Sequence, residues 1–479
     1  MDIYEHSPPR MTAREMAAAI RDGTVACADL VGQCLETIKN HNKTVNAFCQ
    51  LWEDEALAAA EAVDRARAQG KELRPLEGVP TAVKDLMGMA GTRTERGSRL
   101  YKGAISSQEA PVVRRLKATG AIPLGKTTTS ELGWTGSGWS PLTGATRTPW
   151  NPELTSGGSS SGSGAAIAAR MVPLALGSDA GGSVRIPAAF CGIFALKGHL
   201  GRIPHAPWSA TESLSCVGPM SLSVSDSALA FDLLKGPDPA DHLSLPAEAA
   251  SYLEACSQPV DGLRVGFAET LFGVAVDAMV AQTVAAAVDR IAQALPVQVK
   301  GVAPDWPDMT DVFEIIWTVG RGHTNSDLAA AQLDALDPGL ARMISECARF
   351  SARDYLFALK SRADFSAQVE ALFEEIDLLL LPTMPILPFA ADEPGPPERM
   401  TDRLVDWANW TPFTHPFNLT MQPAASLPCG FTPEGLPVGL QIVGPRFGEA
   451  NIFRLAAAIE RLMPWRDRLP PALFGDTSG

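Results

Sequence analysis

The sequence predicts an α/β protein in which one large domain contains a mixed central β-sheet flanked by helices. Short apolar segments typical of strands alternate with helical segments along the chain, and no internal repeat is visible. The 479 residues are 46% hydrophobic and 20% charged, which suits a globular protein with a substantial core. Length alone would allow two or three domains, but the interleaved elements favour a single sheet over separate modules.

The first seventy residues are predicted to be helical. Thr12 and Glu15 form a capping-box pattern before one helix, and apolar spacing predicts two more over 29–39 and 53–69. A turn then precedes a short apolar segment that ends at Lys84, and we expect this segment to be an interior strand. A buried lysine is unfavourable unless it is paired or neutral, so Lys84 needs an explanation.

From residue 110 the two kinds of element alternate. Helices are predicted over 112–120, 165–169, after 224, 276–295, 309–374 with a break at Pro338 and Gly339, and from about Ala450. Strands are predicted over 121–127, 171–176, 263–268 and 376–381, and in a hairpin of 423–431 and 436–443 around a turn at 432–435. The segment from about 240 to 375 is expected to form a helical layer or cap that partly covers the functional site.

Composition excludes several classes of function. The net charge of −14 and the pI near 5.1 argue against nucleic acid or an anionic membrane as a partner. The polar N-terminus carries no secretory signal, and the apolar stretch 376–391 is interrupted by prolines, so we expect a cytoplasmic protein. Eight scattered cysteines and seven dispersed histidines indicate buried free thiols and neither a disulfide framework nor a zinc site.

The stretch from 155 to 204 is the strongest candidate for the functional centre. Its glycine-serine tract at 157–162 is a composition that forms no core and leaves backbone N–H groups free. The apolar segment 171–176 leads directly into a turn, 177–183, with the sequence GSDAGGS. A strand that ends in such a turn places a serine beside exposed amides, as an acyl-transfer nucleophile and its oxyanion site require.

Familiar catalytic motifs do not explain this stretch. The G-x-S-x-G match at 158–162 lacks the apolar strand that a nucleophile elbow needs, and no phosphate-loop pattern occurs. Nothing marks His199, His205 or His415 as the base of a Ser-His-Asp triad. A serine nucleophile with a neutral lysine as base remains, and a second serine between them would pass the proton along.

The chain resembles the amidase signature family, in its bacterial aryl acylamidase and urethanase-like branch. The resemblance covers nearly the whole sequence, with 76–204 as the catalytic core, and it rests on motifs that occur in the family's order. These are GVPTAVKD at 78–85, GKTTTSELGW at 125–134, SPLTGATRTPWN at 140–151, the central stretch, and PFNLTMQPAASLPCG with GLPVGLQIVG within 416–444.

The resemblance implies a role for each residue of the central stretch. Lys84 is expected to be the general base, Ser159 the bridging serine in a cis peptide arrangement, and Ser183 in GGSVR the nucleophile. The oxyanion hole would comprise the backbone amides of Ala180, Gly181, Gly182 and Ser183. Ser160, Asp179 and Arg185 would support these groups, although for the last two a purely structural ion pair is an equal alternative.

The same resemblance implies the substrate class and the competing function. Trp134, Thr135, Trp139 and Trp208 are expected to line the substrate pocket, and their indoles indicate a small aryl or apolar amide, with carbamates and ureas as related substrates. The resemblance implies neither a metal nor an organic cofactor, and we expect a monomer or homodimer. The alternative is the glutaminase component of a tRNA-dependent amidotransferase, although that branch usually has glutamine where Ile186 follows Arg185 here.

Overall fold

The computed structural model describes residues 10–209, 211 and 213–475. Eleven strands in this part form one continuous mixed sheet in the order β1-β3-β2-β8-β10-β9-β14-β15-β13-β11-β12, and four others form two small pairs, β4 with β5 and β6 with β7. The strands are β1 (Phe48–Leu51), β2 (Pro80–Lys84), β3 (Ile122–Thr127), β4 (Trp139–Ser140), β5 (Gly144–Ala145), β6 (Arg147–Thr148), β7 (Asn151–Thr155), β8 (Leu174–Asp179), β9 (Phe194–Lys197), β10 (Cys216–Ser221), β11 (Arg264–Phe267), β12 (Gln298–Gly301), β13 (Leu378–Pro382), β14 (Ala424–Phe431) and β15 (Pro437–Val443). The predicted α/β class with one mixed sheet is confirmed.

Helices pack on both faces of this sheet. Within the described ranges the α-helices are α1 (Ala13–Asp22), α2 (Cys27–Val45), α3 (Glu53–Ala68), α4 (Pro111–Ala118), α5 (Ser161–Ala168), α6 (Arg185–Cys191), α7 (Val224–Leu234), α8 (Tyr252–Ala255), α9 (Ala278–Ala294), α10 (Thr310–His323), α11 (Ala330–Leu333), α12 (Pro338–Ser345), α13 (Ala352–Glu375), α14 (Pro416–Leu419), α15 (Glu449–Leu462) and α16 (Pro471–Phe474). Short 3₁₀ turns occur at Arg99–Tyr101, Glu131–Gly133, Cys347–Arg349, Pro397–Arg399 and Asp406–Trp410. None of the helices in these ranges has the length and apolarity to cross a bilayer.

The core forms two apolar layers separated by the sheet. Because successive side chains of a strand point to opposite faces, Leu378 and Leu380 of β13 join one layer and Leu379 and Leu381 join the other. Strands β2 and β8 are parallel neighbours, with Val83 opposite Leu176. Their carboxyl ends therefore lie at the same edge of the sheet, which brings Lys84 next to the glycine-rich turn.

Several local predictions are confirmed, with shifts that tertiary contacts explain. The capping box of Thr12 and Glu15 starts α1, and β2 ends at Lys84 as expected. The strand predicted from residue 171 starts at Leu174, because the amides of Arg170 and Met171 still bond to carbonyls of α5. The break predicted at Pro338 and Gly339 is present, because α11 ends at Leu333 and Pro338 occupies the first turn of α12.

One expectation about a whole segment is wrong. The glycine-serine tract does contribute to the core: Ser160 and Ser161 are fully buried, and the amide of Gly162 donates to the Thr128 carbonyl. The segment from 240 to 375 contains the predicted strand as β11, and β11 and β12 extend one edge of the main sheet. The prediction of free thiols is confirmed, since all eight cysteines are unpaired and seven of them are buried.

Candidate active site

A buried lysine at the end of β2 lies among three serine hydroxyl groups. The Nζ atom of Lys84 is 2.8 Å from Ser159 Oγ, 2.9 Å from Ser160 Oγ and 3.0 Å from Ser178 Oγ. Ser159 follows a cis peptide bond from Gly158, and Ser160 immediately precedes α5. The structure thus brings together the predicted pair of Lys84 and Ser159.

The surroundings of Lys84 favour its neutral form. The side chain is completely shielded from solvent, and this burial holds its pKa well below the ordinary value. Asp179 opposes the shift and Arg321 adds to it, but desolvation is the largest of these effects. A neutral amine can accept a proton, whereas an ammonium group cannot.

The hydrogen-bond partners of Ser160 determine the direction of its hydrogen bond with the amine. The Ser160 hydroxyl donates to the Ser178 carbonyl at 3.1 Å and accepts from the Ser178 amide at 3.2 Å. Because its one hydrogen is committed, it can only accept from Lys84. A neutral amine has two N–H groups and one lone pair, so Lys84 donates to Ser160 and has one N–H group and the lone pair left for Ser159 and Ser178.

The turn after β8 is held by a buried ion pair. Arg185 donates to both carboxylate oxygens of Asp179 at 3.0 Å, and Asn418 donates to one of them at 2.9 Å. Although burial alone would raise the pKa of Asp179, the charge and hydrogen bonds of Arg185 and the amide of Asn418 hold it well below its usual range. The two residues therefore act as a charged staple across the loop that carries Ser183.

This staple also changes the predicted oxyanion hole. The amide of Gly182 donates to Asp179 Oδ1 at 2.8 Å, so it is committed to the loop. Of the four predicted amides, Gly182 is therefore the one with a hydrogen-bond acceptor already in place. The backbone amides of Ala180, Gly181 and Ser183 remain the candidates for binding an oxyanion.

Glycines at this turn allow the opposite layer to pack directly against the backbone. A Cβ on Gly181 would lie 2.8 Å from the Trp407 ring and 2.9 Å from the Phe313 ring. Gly182 has φ of +130°, and a Cβ there would lie 2.4 Å from Thr414 Oγ1. Aromatic side chains from α10 and the 3₁₀ turn at Asp406–Trp410 thus support the turn from behind.

A cavity of about 340 Å³ opens in front of Ser159 and Ser183. Its lining is mixed in chemistry. Apolar walls come from residues including Leu86, Met87, Leu132, Val112, Val217 and Pro207, and polar groups from Arg96, Tyr101, His205, Ser209, Thr324, Asn325 and Arg321. Ser183 is 6% exposed and Ser159 2% exposed, so a ligand in this cavity would reach both from one side.

The predicted substrate-pocket residues are mostly placed elsewhere. Trp208 lines the cavity and is 59% exposed. Trp134 and Thr135 are buried outside the lining, and Trp139 pairs with Ala145 in a small hairpin. The prediction is corrected for these three: Trp134 packs into the second apolar layer, where it contacts the start of α12, and Thr135 and Trp139 do not line the cavity.

Three residues near the cluster had not been predicted. Ser178 contacts Lys84, Asn418 binds Asp179, and Arg321 from α10 lines the cavity. Two of them carry a sequence signal: Ser178 is a hydroxyl at the end of the strand beside that of Lys84, and Asn418 lies in the motif that begins at Pro416. Of the histidines considered as bases, His205 lines the cavity, whereas His415 is fully buried against Phe313.

A mixed α/β sheet that holds a buried lysine among serine hydroxyls, beside a glycine-rich turn, is suited to a hydrolase that cleaves amide C–N bonds. A model of the amidase family matches residues 29–453, and the chain therefore belongs to that family. The resemblance found in the sequence is confirmed.

Individual relatives agree with this assignment over the full chain. The acylamidase of Rhodococcus erythropolis is 33% identical over 470 residues, covering 96% of this chain and 97% of that protein. One of the subunits of the glutamyl-tRNA(Gln) amidotransferase of Chloroflexus aurantiacus is 32% identical over 484 residues, covering 96% and 98%. A crystal structure of a bacterial aryl acylamidase of the amidase signature family superposes with a TM-score of 0.88 at 27% identity, covering 95% and 96%.

Proposed function

We propose that the protein hydrolyses small amides with aryl or other apolar groups, and carbamates of similar shape, through an acyl-enzyme on Ser183. Lys84 is the general base and Ser159 relays the proton. The observation that carries this proposal is the buried Lys84 Nζ held 2.8 Å from Ser159 Oγ. A hydroxyl is a weak nucleophile at neutral pH, and a neighbouring base is what activates it.

In the proposed cycle, protons first move from Ser183 through Ser159 toward Lys84, and a proton then returns to the leaving nitrogen. Neutral Lys84 takes the proton of Ser159, which takes that of Ser183 as the Ser183 oxygen attacks the carbonyl carbon. The proton then returns through Ser159 to the leaving nitrogen, and the C–N bond breaks. Water repeats the attack on the acyl-enzyme and releases the acid.

Developing negative charge on the carbonyl oxygen needs fixed donors. The amides of Ala180, Gly181 and Ser183 are proposed to bind it, since the loop that carries them is held in place by the pair of Asp179 and Arg185. Each such donor typically contributes about 3–4 kcal/mol to the stability of the transition state. Because the ion pair of Asp179 and Arg185 is already formed, the loop does not need to reorganise during the reaction.

Two observations support the proposed substrate class: the apolar residues that line the cavity and the names of two similar proteins. Leu86, Leu132, Val217 and the exposed Trp208 offer apolar contact to an aryl group. The names acylamidase and aryl acylamidase belong to proteins that match over nearly the full chain. A carbamate presents the same carbonyl carbon bonded to nitrogen, so the proposed attack applies to it unchanged.

We further propose that the chain works in the cytoplasm, as a monomer or homodimer and without an organic cofactor. Eight free cysteines fit a reducing compartment. The proposed proton relay uses only side chains of this chain. Size-exclusion chromatography with light scattering measures the oligomeric state directly.

A second candidate is the glutaminase component of a tRNA-dependent amidotransferase, because a protein from such an amidotransferase is 32% identical over nearly the full length. The cavity argues against it. Glutamine carries an ammonium group, and Asp179 is the one carboxylate among the described lining residues, where it is already bound by Arg185 and Asn418. Free glutamine would thus lack an anionic partner for that group.

A substrate panel on the isolated chain separates the two functions. The purified protein should release para-nitroaniline from para-nitroacetanilide without any partner, and it should act poorly on glutamine. Ser183→Ala is the matched control, since it removes one hydroxyl from a mostly buried side chain. Ammonia release from glutamine with no anilide hydrolysis would overturn the proposal.

A further inference from the structure

Two arginine side chains face the cavity without a carboxylate partner among the described residues. Arg321 donates to the Leu132 carbonyl at 2.8 Å and to the Gly133 carbonyl at 3.5 Å, while its buried Nε has no hydrogen-bond partner. Arg96 lies over the Tyr101 ring, 4.9 Å from the centroid, and no described side chain accepts a hydrogen bond from its guanidinium. Both line the cavity in front of Ser183.

Two positive charges without a carboxylate partner contrast with the negative net charge of this protein. The chain carries a net charge of −14, yet the cavity holds two guanidinium groups whose charge no carboxylate within the described ranges balances. A partly buried cation without a partner is unfavourable, and binding an anion removes that penalty. The planar fork of arginine matches a carboxylate in particular.

Arg321 is rigidly held and remains charged near neutral pH. Its guanidinium stacks on Trp317 at 4.4 Å from the ring centroid. Burial lowers its pKa to about 10, which still leaves it protonated under ordinary conditions. A cation that is held by these contacts beside the cavity can orient an anionic ligand.

The position of Arg321 indicates which end of the substrate it meets. It bonds to the carbonyl of Gly133, and a Cβ on Gly133 would lie 3.2 Å from Ser159 Oγ. In the proposed cycle Ser159 returns the proton to the leaving nitrogen, so the leaving amine lies on that side of the cavity.

We propose that the preferred substrate carries a carboxylate on its amine portion, bound by Arg321 and Arg96. This inference rests on the proposed function. The substrate class is an N-acyl aminocarboxylate with an aryl or apolar spacer. Hydrolysis breaks its C–N bond, adds the hydroxyl of water to the acyl carbon and a proton to the nitrogen, and releases a free aminocarboxylate.

The test compares para-acetamidobenzoate with para-acetamidobenzamide, which have the same shape and differ in charge. We expect kcat/KM to favour the carboxylate about tenfold to hundredfold, the range of a charge-assisted hydrogen bond. Arg321→Gln and Arg96→Gln should each reduce this ratio at least severalfold, and the double variant should bring it close to one. Arg353→Gln, which removes an exposed arginine on α13, controls for overall charge and should leave the ratio unchanged.

Binding to Ser183→Ala separates failure of this inference from failure of the proposed function. Calorimetry with the two compounds should show the same preference without any turnover. A ratio near one in the wild type, or equal losses on both compounds in the two glutamine variants, would overturn the carboxylate site and leave the amidase proposal standing. Absence of hydrolysis together with a retained binding preference would overturn the proposed chemistry alone.

Discussion

Replacing Lys84 by methionine tests the proposed proton route most directly. Methionine is also unbranched and fits a completely buried site, but it has neither a proton to donate nor a basic nitrogen. The change removes all three contacts that Nζ makes with Ser159, Ser160 and Ser178. Ser160 keeps its hydrogen bond to the Ser178 carbonyl, so the tract retains one of its anchors.

The expected loss follows from the role assigned to Nζ. Transfer of a proton by a positioned base contributes about 10²- to 10⁴-fold to the rate. The methionine variant should therefore lose about 3–5.5 kcal/mol of transition-state stabilisation. The loss should appear in kcat, since the apolar walls that bind the substrate are unchanged.

The pH dependence supplies an independent readout. Only neutral Lys84 can act as base, so wild-type kcat/KM should fall as the pH decreases through the lowered pKa of this residue. The residual activity of the methionine variant should not show this decrease at acidic pH.

The pH dependence of folding stability can be predicted as well. Between the lowered pKa of Lys84 and 10.5, the unfolded chain binds a proton that the folded protein lacks. The free energy of unfolding of the wild type should therefore rise with pH relative to that of the variant.

The assay is initial-rate hydrolysis of para-nitroacetanilide over a pH series, with urea unfolding of both proteins at each pH. Circular dichroism establishes that the variant is folded. A folded variant that retains more than a tenth of the wild-type rate would refute the assignment of Lys84 as base. An acid limb shared by both proteins would show that another group titrates.

Three further substitutions probe the turn that carries the nucleophile. Ser183→Ala should abolish turnover while leaving the melting temperature close to that of the wild type, and mass spectrometry should detect no acyl-enzyme. Asp179→Asn leaves Arg185 as a buried unpaired cation, so the free energy of unfolding in urea should fall by about 3–5 kcal/mol; a fall below 1 kcal/mol would contradict the staple. Gly182→Ala places a Cβ 2.4 Å from Thr414 Oγ1 at a φ of +130°, and it should cost about 1–3 kcal/mol of stability together with much of the activity, measured by thermal melting and initial rates.

Much of the fold could be predicted from the sequence, because in many segments the local residue pattern and the tertiary packing favour the same structure. The apolar segment ending at Lys84 and the hairpin strands β14 and β15 are fully or largely buried, and their pattern is sufficient to predict strands. The prediction for the glycine-serine tract is wrong because composition does not reveal that Ser160 and Gly162 obtain hydrogen-bond partners far away in the sequence, the carbonyls of Ser183 and Thr128. Its burial is a property of the fold as a whole.

The site was predictable only in part for a related reason. Lys84, Ser159 and Ser183 lie in motifs whose family resemblance names them, whereas Arg321 comes from a helix far along the chain with no motif around it. A tryptophan in a loop gives no sign of which way its ring points, so Trp134 and Trp208 looked alike. The structure buries the first and leaves the second at the cavity.

A neutral lysine beside a buried carboxylate poses a physical problem, and the ion pair of Asp179 and Arg185 resolves it. An unbalanced carboxylate near Lys84 would favour the ammonium form and disable the base. Both oxygens of Asp179 accept hydrogen bonds from Arg185, and one also accepts from Asn418, so its negative charge is largely balanced before it can act on the amine. One ion pair thus fixes the turn that carries Ser183 and shields the base. This double role accounts for a full charge pair at a place where apolar packing alone could have held the loop.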